Sequence, residues 1–119
     1  MAENKKEYDL EKRTFKFASN ARAFVRKIRK DIPNIEDSRQ LVNSSESIEA
    51  NYIEANEALS KKDFVMRIKI CRKEAKESAY WLRLILSEES SVEDERLRLL
   101  KEARELTSIF GAIFRKSEK

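Results

Sequence analysis

The sequence has no histidine and only one glycine, one proline and one cysteine among its 119 residues. Without histidine, the chain cannot form a Ser-His-Asp triad, a Cys-His pair or an imidazole metal site. One glycine is too few for a glycine-rich phosphate loop or a set of tight hairpin turns. The lone Cys71 can form neither an internal disulfide nor a cysteine-rich zinc site. We therefore expect no cofactor and no bound metal.

The charge balance is mildly basic. Charged residues make up 40% of the chain, hydrophobic residues another 40%, and the formal net charge is +4. Nucleic acid is therefore a candidate partner, although charge alone does not establish it. No stretch approaches the roughly 18 apolar residues that cross a bilayer, and the first seven residues lack the apolar core of a signal peptide. We expect a cytoplasmic protein that does not engage a membrane.

Apolar residues recur at helical spacing in four segments, and no segment alternates like a strand. The predicted helices span about residues 8–30, 34–59, 61–87 and 92–116, between flexible tails at 1–7 and 117–119. Pro33 ends the first helix and suits the first turn of the second. Ser60 is the expected N-cap of the third helix, and Ser90 or Ser91 that of the fourth. Because the connections are short, neighbouring helices run antiparallel, which predicts an all-α, up-down-up-down four-helix bundle in one domain.

Each predicted helix carries a seam of small and apolar residues that faces the core. The seams are Leu10, Thr14, Phe17, Ala21, Phe24 and Ile28 in the first helix; Leu41, Ser45, Ile48, Tyr52, Ala55 and Leu59 in the second; Phe64, Ile68, Cys71, Ala75, Ser78, Leu82 and Ile85 in the third; and Val92, Leu99, Ala103, Leu106, Phe110 and Ile113 in the fourth. The lone Gly111 lies inside the fourth helix, where close approach of another helix is one explanation for it.

The first helix has a strongly basic face. Eight basic residues and no acidic ones lie between residues 12 and 30, and Phe15 projects among them. Such a face suits a phosphate backbone, but a solvated face or pairing with the acidic second helix is the more common explanation of one. Arg72 has a second interpretation, as part of a polar network. The candidate nucleic-acid-binding residues are Arg22, Arg26, Arg29, Lys30, Lys69, Arg72, Lys73 and Lys76.

The third helix has a second apolar stripe opposite its core seam. Either this helix lies centrally in the bundle, or helices two and four together cover both faces, or the second face meets another subunit. A tryptophan on such a stripe suits an interface anchor. The candidate residues of an oligomer interface are Phe15 on the first helix and Met66, Ile70, Trp81 and Leu84 on the third.

The second helix has a polar stripe beside its core seam. If that stripe faces a helix, each of its groups needs a hydrogen-bond partner, and Arg67, Arg72, Glu74 and Ser78 of the third helix are candidates. We expect a structural network that sets the register of the helices. Its predicted members are Asn43, Ser47, Asn51, Glu54 and Glu74.

Carboxylate pairs offer the one route to an enzymatic activity. Four Glu-x-x-Glu spacings place two carboxylates one helical turn apart, and paired helical carboxylates can hold Mg²⁺ in all-helical nucleotide pyrophosphatases. In a chain with 22 acidic residues, such spacings also arise by chance. The pairs are Glu46 with Glu49, Glu54 with Glu57, Glu74 with Glu77, and Glu102 with Glu105.

The middle of the chain resembles a known family. Residues 47–55 read SIEANYIEA, residues 60–64 read SKKDF, residues 67–78 read RIKICRKEAKES, and residues 80–85 read YWLRLI. These segments resemble the bacterial four-helix-bundle family named after the 23S rRNA intervening sequence. The resemblance extends over about residues 8–114, and Ala55 stands where the family pattern usually has glycine.

That resemblance implies a four-helix bundle that assembles as a ring-like homopentamer. A similar fold serves as the accessory protein of reverse transcriptases in diversity-generating elements, which implies nucleic-acid binding and contact with a partner protein. The sequence therefore predicts a non-enzymatic oligomer that binds RNA or DNA weakly through basic faces of helices one and three. The alternatives are a scaffold or accessory subunit without nucleic-acid affinity of its own, and a magnesium-dependent nucleotide hydrolase.

Overall fold

Four α-helices form an antiparallel bundle of about 45 × 27 × 19 Å. The computed structural model describes the backbone of residues 2–118 and the side chains of residues 9–118. The helices are α1 (Ala2–Val25), α2 (Ile32–Asn56), α3 (Lys61–Leu84) and α4 (Ser90–Ser117). Each helix packs against its two neighbours around the bundle. α3 therefore contacts α2 and α4 and lies diagonally across from α1. The predicted fold class is confirmed.

The first connection begins earlier than the apolar pattern predicts. α1 ends at Val25, and the N–H groups of Lys27 and Ile28 bond to carbonyls three residues back, at 3.0 and 3.3 Å. The chain thus turns tightly while Ile28 stays buried, which is why the core seam continues past the helix. α2 begins at Ile32, where the Asp31 side chain accepts the N–H of Asn34 at 2.9 Å, with Pro33 in the first turn as predicted.

The caps of the later helices follow the sequence only in part. The Ser60 hydroxyl accepts the N–H of Asp63 at 3.0 Å, which confirms it as the N-cap of α3. The prediction that Ser90 or Ser91 caps α4 is wrong, because α4 already begins at Ser90 and both serines lie in its first turn. Glu89 holds the cap position without a side-chain hydrogen bond. The expected flexible tails stay a prediction, but residues 2–7 lie within α1, which begins earlier than predicted, and Ser117 lies within α4. Met1 and Lys119 lie outside the described residues.

The predicted core seams are buried with few exceptions. Leu59 is fully exposed, because α2 ends at Asn56 and leaves it in the connection to α3. Phe64 and Ile113 are only half-buried, at the margin of the core. At its centre Tyr52 and Phe110 meet edge to face, with ring centroids 5.8 Å apart.

A buried asparagine ties two connections together at one end of the bundle. The Asn34 amide donates to the carbonyls of Arg29 and Leu86 at 3.1 and 3.2 Å, and its oxygen accepts the N–H of Leu86 at 3.3 Å. Buried backbone groups outside helices need such partners. Asn34 therefore holds the segment between α1 and α2 against the segment between α3 and α4.

Candidate nucleic-acid interface

Two of the four candidate cations of the basic face are already paired with carboxylates, and of these four only Arg22 lies within α1, which ends at Val25. Arg22 lies 2.6 Å from Glu46 of α2, and Arg29 lies 3.5 Å from Glu88. Arg26 and Lys30 are exposed and form no ion pair among the described residues. Pairing of the basic face with the second helix, one of the alternatives for this face, thus occurs at Arg22.

Two further cations of the basic face pair with glutamates of α4. Arg13 binds Glu102 at 2.6 Å and reaches Glu105 at 3.4 Å, and Lys27 lies 2.9 Å from Glu95. The hydrogen bond to Glu102 is the main reason why the pKa of Arg13 is raised. The basic face of α1 is therefore partly neutralised along both of its flanks.

The candidate cations of α3 have no such partners. All four are exposed, and none lies within ion-pair distance of a carboxylate among residues 9–118. At 100° per residue they project onto the outer surface of α3, on the side that turns toward α4. We call this set the α3 cation cluster; it comprises Lys69, Arg72, Lys73 and Lys76.

Gly111 of α4 lies beside two arginines, and a Cβ atom there would make ordinary van der Waals contact with both. A Cβ atom at Gly111 would lie 3.5 Å from Nε of Arg72 and 3.4 Å from Nη1 of Arg115. The expected close approach at this glycine therefore comes from side chains and not from another helix backbone. Arg72 lies against α4, away from the polar stripe of α2, and Arg115 joins the cluster although the sequence gave no signal for it.

The α3 cation cluster lines a groove of about 630 Å³ on the outer face of α3. Tyr80 lies in its lining and is 49% exposed, with its ring centroid 4.8 Å from that of Trp81. Along the rim, the Lys69 ammonium lies 5.8 Å from the centre of the Phe114 ring, a cation–π contact. The other lining residues are Met66, Ile70 and Glu77. The groove thus combines unpaired cations, an exposed aromatic ring and an apolar surface.

The predicted interface residues do not all lie together. Met66 and Leu84 are exposed on α3, whereas Ile70 and Trp81 are half-buried and Trp81 packs against the core. Phe15 is 62% exposed, but it lies on α1, diagonally across the bundle. Since α3 packs on two helices and leaves an outer face open, neither a central position nor cover by α2 and α4 explains its second stripe.

The polar stripe of α2 forms a smaller network than expected. Nη1 of Arg67 donates to Oδ1 of Asn51 at 3.0 Å, and Nδ2 of Asn51 donates to the Ser47 carbonyl at 2.9 Å. Asn43 and Glu54 are exposed and make no hydrogen bond among the described residues. They face solvent, so they need no protein partner.

Two further polar groups lie near this network. Ser44, which the sequence analysis missed, meets the buried Ser78 hydroxyl at 2.8 Å. Glu74 lies apart from these bonds, and burial, with the nearby Glu77, raises the pKa of its carboxyl group. Ser44 directly follows Asn43, the first residue of the predicted polar stripe, and therefore lay just outside that prediction.

Several of the groups that could support catalysis are otherwise engaged. Burial raises the pKa of the Cys71 thiol to about 12, and its Sγ donates to the Ile48 carbonyl at 3.4 Å. Arginines hold Glu46, Glu102 and Glu105, which belong to two of the four carboxylate pairs. Among the described side chains, no three histidine, cysteine, aspartate or glutamate residues are grouped as metal ligands would be. Over residues 2–118 no helix has the length of apolar sequence that a membrane crossing requires.

The family model for the 23S rRNA-intervening sequence protein matches residues 6–112. The chain belongs to this family. The match includes the segments between residues 47 and 85 and confirms the resemblance that they carry. A search of the curated proteins found no match.

A solved structure supports the same fold. A protein of unknown function from the S23 ribosomal protein family of Bacteroides thetaiotaomicron superposes with a TM-score of 0.77 at 23% sequence identity. The alignment covers 92% of this chain and 98% of the other. At this identity the likeness establishes the helical architecture of the family member and not its partners.

Proposed function

We propose that this family member is a non-enzymatic, oligomeric helical bundle that binds RNA or DNA weakly and without sequence recognition, chiefly through the α3 cation cluster and Arg115. One observation carries the proposal. The candidate cations of α3 are exposed and form no ion pair among the described residues, whereas Arg22 of α1 and Arg29, just after it, are engaged in ion pairs.

Unpaired cations favour phosphate binding for a physical reason. A phosphate that meets an unpaired lysine or arginine releases counterions from the nucleic acid without first breaking an ion pair of the protein. Phosphate contacts position a nucleic acid but carry no sequence information. A cation cluster that contacts phosphates therefore supports binding that is sensitive to salt and tolerant of sequence.

Assembly would strengthen this attraction. The formal charge is +4 per chain, so the pentamer that the family resemblance implies would carry about +20, enough to attract polyanions. Several weak sites on one particle also bind a long strand with greater avidity than one site does.

Two triple variants of equal charge test the assignment. The α3 variant combines Lys69→Gln, Lys73→Gln and Lys76→Gln and removes three positive charges from α3. The α1 variant combines Lys16→Gln, Arg26→Gln and Lys30→Gln and removes three from the basic face of α1 and the connection that follows it. We expect the α3 variant to lose about tenfold or more in RNA affinity at low salt, and its salt slope to fall by about 0.7 for each lost contact with a single strand. Fluorescence anisotropy over a salt series measures both quantities.

The α1 variant is the control, and it decides whether the basic face of α1 or the α3 cation cluster binds RNA. The α1 variant should bind within about threefold of the unmodified protein, because the glutamates that pair with Arg13, Arg22 and Lys27 lie on the same face and repel a polyanion. If the α1 variant alone loses affinity, the binding face lies on α1 and the assignment to α3 is wrong. Circular dichroism must show equal helicity for both variants.

A scaffold or accessory role is the second candidate, and exposed apolar residues favour it. Ile32 and Leu86 are 81% and 75% exposed near the end of the bundle that Asn34 holds together. Exposed apolar clusters on a folded protein commonly mark protein contacts. If the unmodified protein shows no affinity for RNA or DNA even at low salt, this role replaces the first.

A further inference from the structure

We propose that the groove on α3 accepts single-stranded nucleic acid with unpaired bases in preference to a duplex. The inference rests on the proposed function, and it adds the strandedness of the ligand and the residue that selects it. That residue is Tyr80, whose ring would stack on a base.

The groove has two kinds of surface side by side. At 100° per residue, Lys69, Arg72 and Lys76 project toward α4, whereas Met66 and Tyr80 lie nearer the middle of the outer face, with Lys73 between them. From Met66 to Tyr80 the helix rises about 21 Å, so the two surfaces run parallel for several nucleotides. A strand whose phosphates follow the cations would therefore have its bases over the apolar side.

Tyr80 can serve as a stacking platform. Half of its surface remains open, while its ring meets that of Trp81 at an angle of 72°, which limits the motion of the tyrosine. An aromatic ring stacks on any base, so it contributes affinity without sequence preference. The bases of a duplex are already stacked and paired, and they cannot reach a ring on a shallow helix surface.

The charge pattern also argues against a twofold contact between two copies of the chain through this groove. In a twofold contact the same surface meets itself, so the α3 cation cluster would face its own like charges. Like charges facing each other across an interface disfavour the contact. A polyanion with exposed apolar bases complements both surfaces of the groove.

The test compares oligouridylate alone with the same oligouridylate annealed to oligoadenylate, using the full chain and two variants. Tyr80→Ala removes the ring, and Tyr80→Phe, the matched control, keeps it. We expect Tyr80→Ala to weaken binding of the single strand by about tenfold and to leave duplex binding unchanged, because stacking contributes only to the former. Tyr80→Phe should bind the single strand like the unmodified protein.

The lone tryptophan gives an independent readout. Because Trp81 is the only tryptophan and contacts Tyr80, its fluorescence should change when oligouridylate binds and remain unchanged with the duplex. Light scattering measures the mass of the Tyr80→Ala variant without nucleic acid. We expect this mass to equal that of the unmodified protein.

The outcomes separate this inference from the proposed function. Equal affinity for single strand and duplex, with no effect of Tyr80→Ala, would overturn the inference and leave binding by charge intact. No binding of either probe would overturn both. A lower mass for Tyr80→Ala would show that Tyr80 lies between copies of the chain, which also overturns the inference.

Discussion

At the scale of single residues, Asn34 and Gly111 have roles that depend on distant parts of the chain. Asn34 satisfies backbone groups of two connections, one of them 52 residues away. Glycine inside a helix costs about 1 kcal/mol relative to alanine, and Gly111 lies against the side chains of Arg72 and Arg115. Composition identifies Gly111 as the only glycine but does not distinguish Asn34 from the other five asparagines, and it says nothing of these contacts.

Replacing Asn34 should destabilise the protein markedly. Asn34→Ala leaves two carbonyls and one N–H without their side-chain partner in a partly buried site, so we expect a loss of about 2–3 kcal/mol in the free energy of unfolding. Urea denaturation measures it. Asn43→Ala is the matched control, because Asn43 is exposed and should change the stability by less than about 0.5 kcal/mol. Equal effects of the two variants would contradict the role assigned to Asn34.

At the scale of elements, the beginnings of α3 and α4 differ in how their first N–H groups are satisfied. Ser60 accepts the N–H of Asp63 before α3, whereas Glu89 offers no side-chain bond before α4. α4 instead has Glu93 in its first turn, where a negative charge stabilises the helix dipole. The hydrogen bond from Arg96 lowers the pKa of Glu93 and thereby helps to keep it charged.

Removal of the two serine hydroxyls tests this difference. Ser60→Ala should lower the free energy of unfolding by about 1 kcal/mol, the usual effect of losing an N-cap. Ser90→Ala should change it by less than about 0.5 kcal/mol, since Ser90 lies within the first turn. Thermal or urea unfolding compares the two, and a larger effect at Ser90 would refute the assigned caps.

At the scale of the whole molecule, the square arrangement of the helices leaves the outer face of α3 open. The groove occupies the side toward α4, and Leu84, 43% exposed, lies beyond it at the end of the helix. Trp81 projects toward the α2 side. We place the contacts between copies of the chain in the proposed oligomer at these apolar residues, which lie outside the cation cluster.

A charge introduced at Leu84 should weaken that assembly. By size-exclusion chromatography with light scattering, we expect the unmodified protein to show several times the chain mass of 14.0 kDa, and Leu84→Glu to show a lower mass, because a buried unpaired charge disfavours an interface. Leu97→Glu on α4 changes a leucine of similar exposure and should leave the mass unaltered. A monomeric unmodified protein, or equal masses for the two variants, would contradict this interface.

The sequence by itself determined the four helices, most of the core and the starts of α2 and α3. These features depend on periodicity and on residues a few positions apart, as with Ser60 and Asp63. Only the tertiary structure decided which cations remain free. Arg13 meets carboxylates 89 and 92 residues away, Arg22 one 24 residues away, and Arg72 and Arg115 share the space at Gly111. The sequence pattern of one helix indicates which of its residues are exposed. Whether an exposed charge is neutralised depends on the neighbouring helices, because the strength of an electrostatic interaction depends on distance in space and not on separation along the chain.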